Sequence, residues 1–254
     1  MGKVVFMPVI ILFVIWVVGI IVYLANLHQK HTNDTDSKYD VEWGYTSNSP
    51  SPDLTRQLSL SEQKGIIGES ILCNILNNQP GYKRVLQNVY LPVQEGYTEI
   101  DVLMINTQGI HVFEVKNYSG WIFGTDTSPN WTETTLVGNT CKKYSFYNPV
   151  FQNDLHVRKL KALLCSYKLP FYVNVYSYVC FTSANTLKNI TRNRQDYSLG
   201  YIYDMPECIK QNNSSKNELT NDQIDLLYSK LVTMCNRSSA FKEAHAERVR
   251  HKYN

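Results

Sequence analysis

The chain has 254 residues and a formal net charge of +3. So small a charge excludes a surface that is basic all over, and leaves only a local patch for binding a polyanion. Its six cysteines include no Cys-x-x-Cys pair and no Cys/His spacing of a zinc site, which excludes the common zinc modules.

The first element is apolar. Val4 to Leu27 carries no charged residue, and roughly 20 such residues suffice to cross a bilayer core as a helix. The run is longer than the apolar core of a cleaved signal, and no Ala-x-Ala pattern follows it at Leu27-His28-Gln29-Lys30. Residues 1–27 are therefore expected to be a single transmembrane anchor. Lys3 on one flank and Lys30 and Lys38 on the other leave the orientation open. Residues 28–58 are polar, with Ser-Asn-Ser-Pro-Ser-Pro near their end, and read as a linker.

A helix is predicted from about Ser61 to Asn77, on the spacing of Ile67, Ile71, Leu72, Ile75 and Leu76, closed by Pro80-Gly81. Three β-rich segments follow: Arg84–Leu91, Thr98–Asn106 and Ile110–Lys116. Ser119–Gly124 and Asn130–Leu136 suggest a further short ribbon. Pro149 opens a second helix to about Ser166, and Phe171–Thr182 reads as a buried strand. Tyr197–Tyr203 suggests another strand and Glu218–Met234 a third helix, while 241–254 is a charged tail. The order helix, three strands, helix, strand predicts an α/β domain of two or three layers around a mixed sheet. Its core is expected over 59–185, with 186–254 as a C-terminal extension.

The charges in the second and third strands carry the chemistry. Alternation places Asp101, Leu103 and Ile105 on one face, and Val112, Glu114 and Lys116 on one face of the next strand. A two-residue turn at Thr107-Gln108 sets Asp101 opposite Glu114. A turn at Gln108-Gly109 sets it opposite Lys116. Either register brings all three charges to one face, whereas a slip by one residue would send Asp101 to the other. Such residues are almost never buried unless paired. An ordinary ion pair accounts for Lys116 and one carboxylate and leaves the third charge over. Two carboxylates offer hard oxygens to Mg²⁺ or Mn²⁺, which together with Lys116 is the equipment for cleaving a phosphodiester.

Glu69, behind Gly68 on the first helix, is a candidate third ligand; its alternative is a solvated helix charge. Gln152 and His156 lie four apart on the second helix, hence on one face, and are candidates for contacting a substrate phosphate or ordering the metal water, which makes Gln152 a catalytic candidate; the alternative is partial exposure beside Arg158 and Lys159. Lys142 and Lys143 are candidate phosphate contacts as well, and so are Arg158, Lys159 and Lys161. The aromatics Trp121, Phe123, Trp131, Tyr144, Phe146 and Tyr147 read as core more readily than as a stacking surface.

Four ordered blocks carry a family resemblance: Gly65–Glu69 (Gly-x-x-Gly-Glu), Thr98–Leu103 (Thr-Glu-Ile-Asp-Val-Leu), Gly109–Gly120 (Gly-Ile-His-Val-Phe-Glu-Val-Lys-Asn-Tyr-Ser-Gly) and Asn148–His156 (Asn-Pro-Val-x-Gln-Asn-x-x-His). The pattern resembles the nuclease-related domain, a branch of the PD-(D/E)xK restriction-endonuclease-like superfamily. The resemblance implies an αβββαβ core, metal ligation by Asp101 and Glu114, a catalytic Lys116, and Glu69 as the helical glutamate. Gln152 falls where RecB-like branches place a glutamine; they follow it four residues on with tyrosine, and here stands His156. The activity expected is that of a Mg²⁺- or Mn²⁺-dependent nuclease, with DNA favoured as substrate. The alternative is an inactive module on the same fold that binds nucleic acid or a protein. Cys73, Cys165 and Cys180 sit in apolar runs, which favours free thiols and a cytoplasmic domain.

Overall fold

The computed structural model describes residues 60–94, 96–182, 186–212 and 218–235. The expected anchor at Val4–Leu27, the linker and the charged tail lie outside the described residues. No described helix is long and apolar enough to cross a membrane.

The described elements are α1 (Leu60–Asn77), β1 (Lys83–Val93), β2 (Gly96–Asn106), β3 (Gly109–Lys116), β4 (Trp121–Thr125), β5 (Asn130–Val137), β6 (Thr140–Tyr147), α2 (Pro149–Ser166), β7 (Val175–Phe181), β8 (Thr186–Thr191), β9 (Ser198–Tyr201), α3 (Met205–Gln211) and α4 (Asn221–Leu231). They build two mixed sheets, one in the order β1-β2-β3-β7-β9 and the other β6-β5-β4-β8. In the first, β1, β2 and β3 are antiparallel neighbours, while β7 runs parallel to β3 and β9 parallel to β7. Helix α2 makes the crossover that a parallel β3–β7 pair requires.

Alternation along the central strands divides the core. Val102, Met104, Phe113 and Val115 turn towards α1 and α3, where they meet Leu72, Leu76, Met205 and Ile209. Leu103, Ile105, Ile110 and Val112 turn the other way, towards Leu160 and Leu164 of α2 and Ile224, Leu227 and Leu231 of α4. The large sheet is thus the middle of three layers. A third apolar cluster joins the sheets: Ile122 and Trp131 pack on Val179 and Phe181 of β7, Val150 of α2 and Tyr197.

Described residues after 185 contribute to both sheets. β8 completes the small sheet beside β4, and β9 extends the large one. The segment Tyr197–Tyr203 is a strand only over Ser198–Tyr201, then turns through a 3-10 step at Ile202–Asp204 into α3. The last helix starts at Asn221 rather than Glu218, because Leu219 N–H donates to Thr107 O at 2.7 Å and a Thr220/Gln223 capping box opens the helix. All six cysteines lie among the described residues and are free thiols.

Candidate active site

The β2–β3 ladder runs from Asn106↔Gly109 to Val102↔Phe113. This selects Thr107-Gln108 as the turn and sets Asp101 opposite Glu114. Gly109 makes the turn possible: its φ is +138°, and a Cβ there would lie 2.4 Å from Asn174 O. Beyond Val102 the two strands part. Asp101 Oδ2 then accepts the amide proton of Val115 at 2.7 Å, so a side chain takes over where the backbone ladder stops.

Glu114 is wholly buried and Lys116 is 18% exposed; Lys116 Nζ stands 2.5 Å from Glu114 Oε1. The same ammonium donates to Gln152 Oε1 at 3.1 Å. His156, 2% exposed, lies behind the carboxylate with Nδ1 3.4 Å from Glu114 Oε2. Helix α2 is set at this height by two asparagines. Asn148 caps it, accepting from Val150 N and donating to Thr125 O and Ser128 O. The buried Asn153 amide donates to Val112 O, Ser177 Oγ and Tyr178 O, across β3 and β7. With α2 so fixed, Gln152 falls at Lys116 and His156 at Glu114.

Glu69 approaches from α1. A Cβ on Gly68 would lie 3.2–3.4 Å from Thr182, Val115 and Asn117, so the small residue lets α1 press onto the end of β3. Glu69 Oε2 accepts from Gln87 Nε2 and Asn88 Nδ2 at 3.0 and 3.3 Å. Asn88 Nδ2 also donates to Glu99 Oε1 at 2.9 Å, and Tyr90 donates its hydroxyl proton to the same oxygen at 2.6 Å. Asn88 stands where the register would place a partner for Asp101, with φ +55°, the left-handed region that asparagine tolerates. Glu99 and Asn88 are additions to the sequence reading. Glu99 was legible as the same-face neighbour two residues before Asp101.

The electrostatics follow from this crowding. Burial pushes Asp101 well above the usual carboxylate range; the charges of Glu114 and Glu69 add to the shift, and Lys116 and the Val115 amide oppose it. Burial raises Glu114, with Lys116 opposing. Burial raises Glu69 too, and Glu99 and Glu114 contribute. For Lys116 burial works downward, but Glu114, Tyr118 and Asp101 outweigh it and hold the ammonium protonated.

Lys142 and Lys143 lie on β6, the outer strand of the small sheet, opposite Thr135 and Thr134. Both are exposed. Trp131 is core, as read from the sequence, whereas Trp121 and Tyr144 are about half exposed. Asn117, in a glycosylation-like sequon, has its amide committed: Nδ2 donates to Lys64 O and Oδ1 accepts from Thr182 Oγ1, each at 2.6 Å.

A mixed sheet flanked by helices, with this acidic cluster where β2 and β3 part, fits a restriction-endonuclease-like core. Residues 64–182 match the nuclease-related domain, so this stretch is similar to that family. An uncharacterized protein of Bacillus anthracis is 29% identical over 192 residues, which cover 75% of this chain and 85% of that protein. No solved structure matches.

Proposed function

We propose that the protein is a membrane-anchored, Mg²⁺- or Mn²⁺-dependent nuclease that hydrolyses phosphodiester bonds in DNA. The observation that supports this reading is that Asp101, Glu114 and Lys116 come together where two strands separate: Lys116 pairs with Glu114, and Asp101 lies within the field of both. Among the described residues no three His, Cys, Asp or Glu side chains are gathered as a ready-made metal cage. A hard divalent cation does not need one, since Mg²⁺ takes one or two carboxylates and completes its shell with water and phosphate.

The donor set fits such an ion. Glu69, Asp101 and Glu114 are raised by burial and by neighbouring carboxylates, and Lys116 is the cation that offsets Asp101 and Glu114. Asp101 and Glu114 would hold the cation, with Glu69 the candidate third ligand. A cation bound there supplies Lewis acidity and a water of lowered pKa. Lys116 would orient the attacking water and stabilise the charge that develops on the phosphate. Gln152 positions that ammonium through its carbonyl oxygen, which leaves its NH₂ group to meet a phosphate oxygen. His156 is sited behind Glu114, so its part is to orient that carboxylate rather than to touch substrate.

The test uses the purified full chain in neutral detergent with Mg²⁺ or Mn²⁺, on labelled single- and double-stranded DNA and RNA, beside Asp101→Asn and Lys116→Ala. Metal-dependent cleavage of DNA that both variants lose is expected. No cleavage by the wild type, or equal cleavage by the variants, overturns the reading in favour of an inactive binding module. The anchor at Val4–Leu27 is tested separately: the chain should stay with membranes through alkaline carbonate washing.

A further inference from the structure

We infer that the β5–β6 hairpin is an arm that holds an unpaired nucleic-acid strand and leads it to Lys116. Cross-strand pairing sets Trp131 opposite Phe146, Glu133 opposite Tyr144 and Thr135 opposite Lys142. These six side chains share one face of the hairpin, and Lys143 takes the other. At the base this face belongs to the core. Trp131 is buried, and Phe146 packs on Tyr118 with ring centroids 4.5 Å apart. Tyr118 borders the site, within the field of the Lys116 and Glu114 charges. Further out the hairpin leaves the core: Tyr144 is 47% exposed and Lys142 is exposed. Lys142 lies four residues from Phe146, roughly 13 Å at about 3.3 Å per residue. Towards the site, the strip therefore presents a cation, an exposed phenol ring, and then the Phe146–Tyr118 pair.

The chemistry of this strip selects its occupant. An exposed ring stacks on a base that is free of its own partner, and an ammonium beside it meets the backbone phosphate. A duplex keeps its base faces inside the stack and would leave Tyr144 unused. Glu133, the carboxylate on this face, does not repel the strand outright. Its Oε1 accepts the amide protons of Ser119 and Gly120 at 3.0 Å each, and so is tied to the loop that follows Lys116. The direction of the strand rests on the nuclease reading; the binding does not.

The experiment measures anisotropy of fluorescein-labelled oligo-dT and of a blunt duplex of equal length. It uses the full chain in EDTA, so that nothing is cut. The single strand should bind more tightly than the duplex. Tyr144→Ala should weaken single-strand binding about tenfold, the scale of one stacked base, and Tyr144→Phe should restore it. Lys142→Ala should flatten the slope of log affinity against log salt by about 0.7, the value for one phosphate contact on a single strand. Lys210→Ala, which removes an exposed cation on α3, should leave the slope unchanged. Equal or tighter duplex binding, unaltered affinity in Tyr144→Ala, or a Tyr144→Ala effect on self-association alone would overturn the arm. Cleavage assays on the same proteins separate the two readings. A wild type that cuts while Tyr144→Ala binds normally removes the arm and keeps the nuclease. Tyr144-dependent binding without cutting does the reverse.

Discussion

His156 Nδ1 stands 3.4 Å from Glu114 Oε2, and both side chains are closed to solvent. The separation exceeds that of a well-formed N–H···O bond, but the imidazole fills the space behind the carboxylate and limits where it can turn. Partners behind a metal ligand typically contribute 10–100-fold to metal affinity or activity. His156→Ala should therefore weaken Mn²⁺ binding by about tenfold or more, read by calorimetric titration, with the fold intact by circular dichroism. Unchanged Mn²⁺ affinity would show that the imidazole is only packing.

Asp101 combines a structural contact with an unfavourable charge. Its raised pKa means that the folded protein binds a proton more tightly than the unfolded chain does. Stability from this group is thus lost as pH rises above the ordinary carboxylate range. Asp101→Asn removes the charge and keeps an oxygen for the Val115 amide. In the absence of metal the variant should melt higher than the wild type at neutral pH, by about 2–4 °C per kcal/mol relieved, and should no longer cleave. The gain should shrink in acid, where the wild-type carboxyl is protonated. A variant that melts lower at neutral pH would show that this carboxylate is not strained.

The Lys116–Glu114 pair should respond unequally to removal of either partner. Lys116 reaches solvent in part, and Glu114 does not. Lys116→Met leaves a carboxylate buried without its cation, which costs about 3–5 kcal/mol when a buried pair is broken. Glu114→Gln leaves an ammonium that can turn towards water and should cost less. Lowering the pH should restore Lys116→Met selectively, because protonating Glu114 removes the unpaired charge. The double variant Lys116→Met/Glu114→Gln should recover stability and remain inactive. Urea unfolding of the four proteins at neutral and mildly acidic pH checks the ordering, and equal costs for the two single variants would contradict it.

What was legible in the sequence is what short-range periodicity governs. Helices α1 and α2 and strands β1 to β3 carry strong patterns, and alternation alone predicted Asp101, Glu114 and Lys116 on one face. The turn could not be chosen from sequence because its selection is tertiary: Gly109 is forced by the approach of Asn174 O, which comes from a distant loop. β6 was not read because its residues from Thr140 to Ser145 are exposed on both faces and show no alternation. β8 pairs with β4 through long-range contact, and its own sequence, Thr-Leu-Lys-Asn-Ile-Thr, is a weak strand signal. The place of His156 was hidden for a similar reason. Helical spacing set it beside Gln152, but only the anchoring of α2 by Asn148 and Asn153 turns it onto Glu114.

At the far end of β3, His111 makes the fold sensitive to acid. It is fully buried, with Nε2 2.9 Å from Asn106 Oδ1 and Nδ1 2.9 Å from the Tyr178 hydroxyl. Asn106 Oδ1 can only accept, so Nε2 carries the proton and Nδ1 accepts from Tyr178, whose oxygen in turn accepts from Asn212 Nδ2. The neutral ring is thus fully used, and burial lowers its pKa from 6.5 to about 3. The unfolded chain protonates below pH 6.5 while the folded one resists, so stability falls as pH drops from 6.5 towards 3. At about 1.4 kcal/mol per unit the loss is bounded near roughly 5 kcal/mol. Gln in place of His111 lacks the titration. The stability deficit of His111→Gln should therefore be largest at pH 7 and should narrow steadily below pH 6.5, as measured by urea unfolding. A deficit independent of pH would mean that His111 titrates alike in the folded and unfolded states.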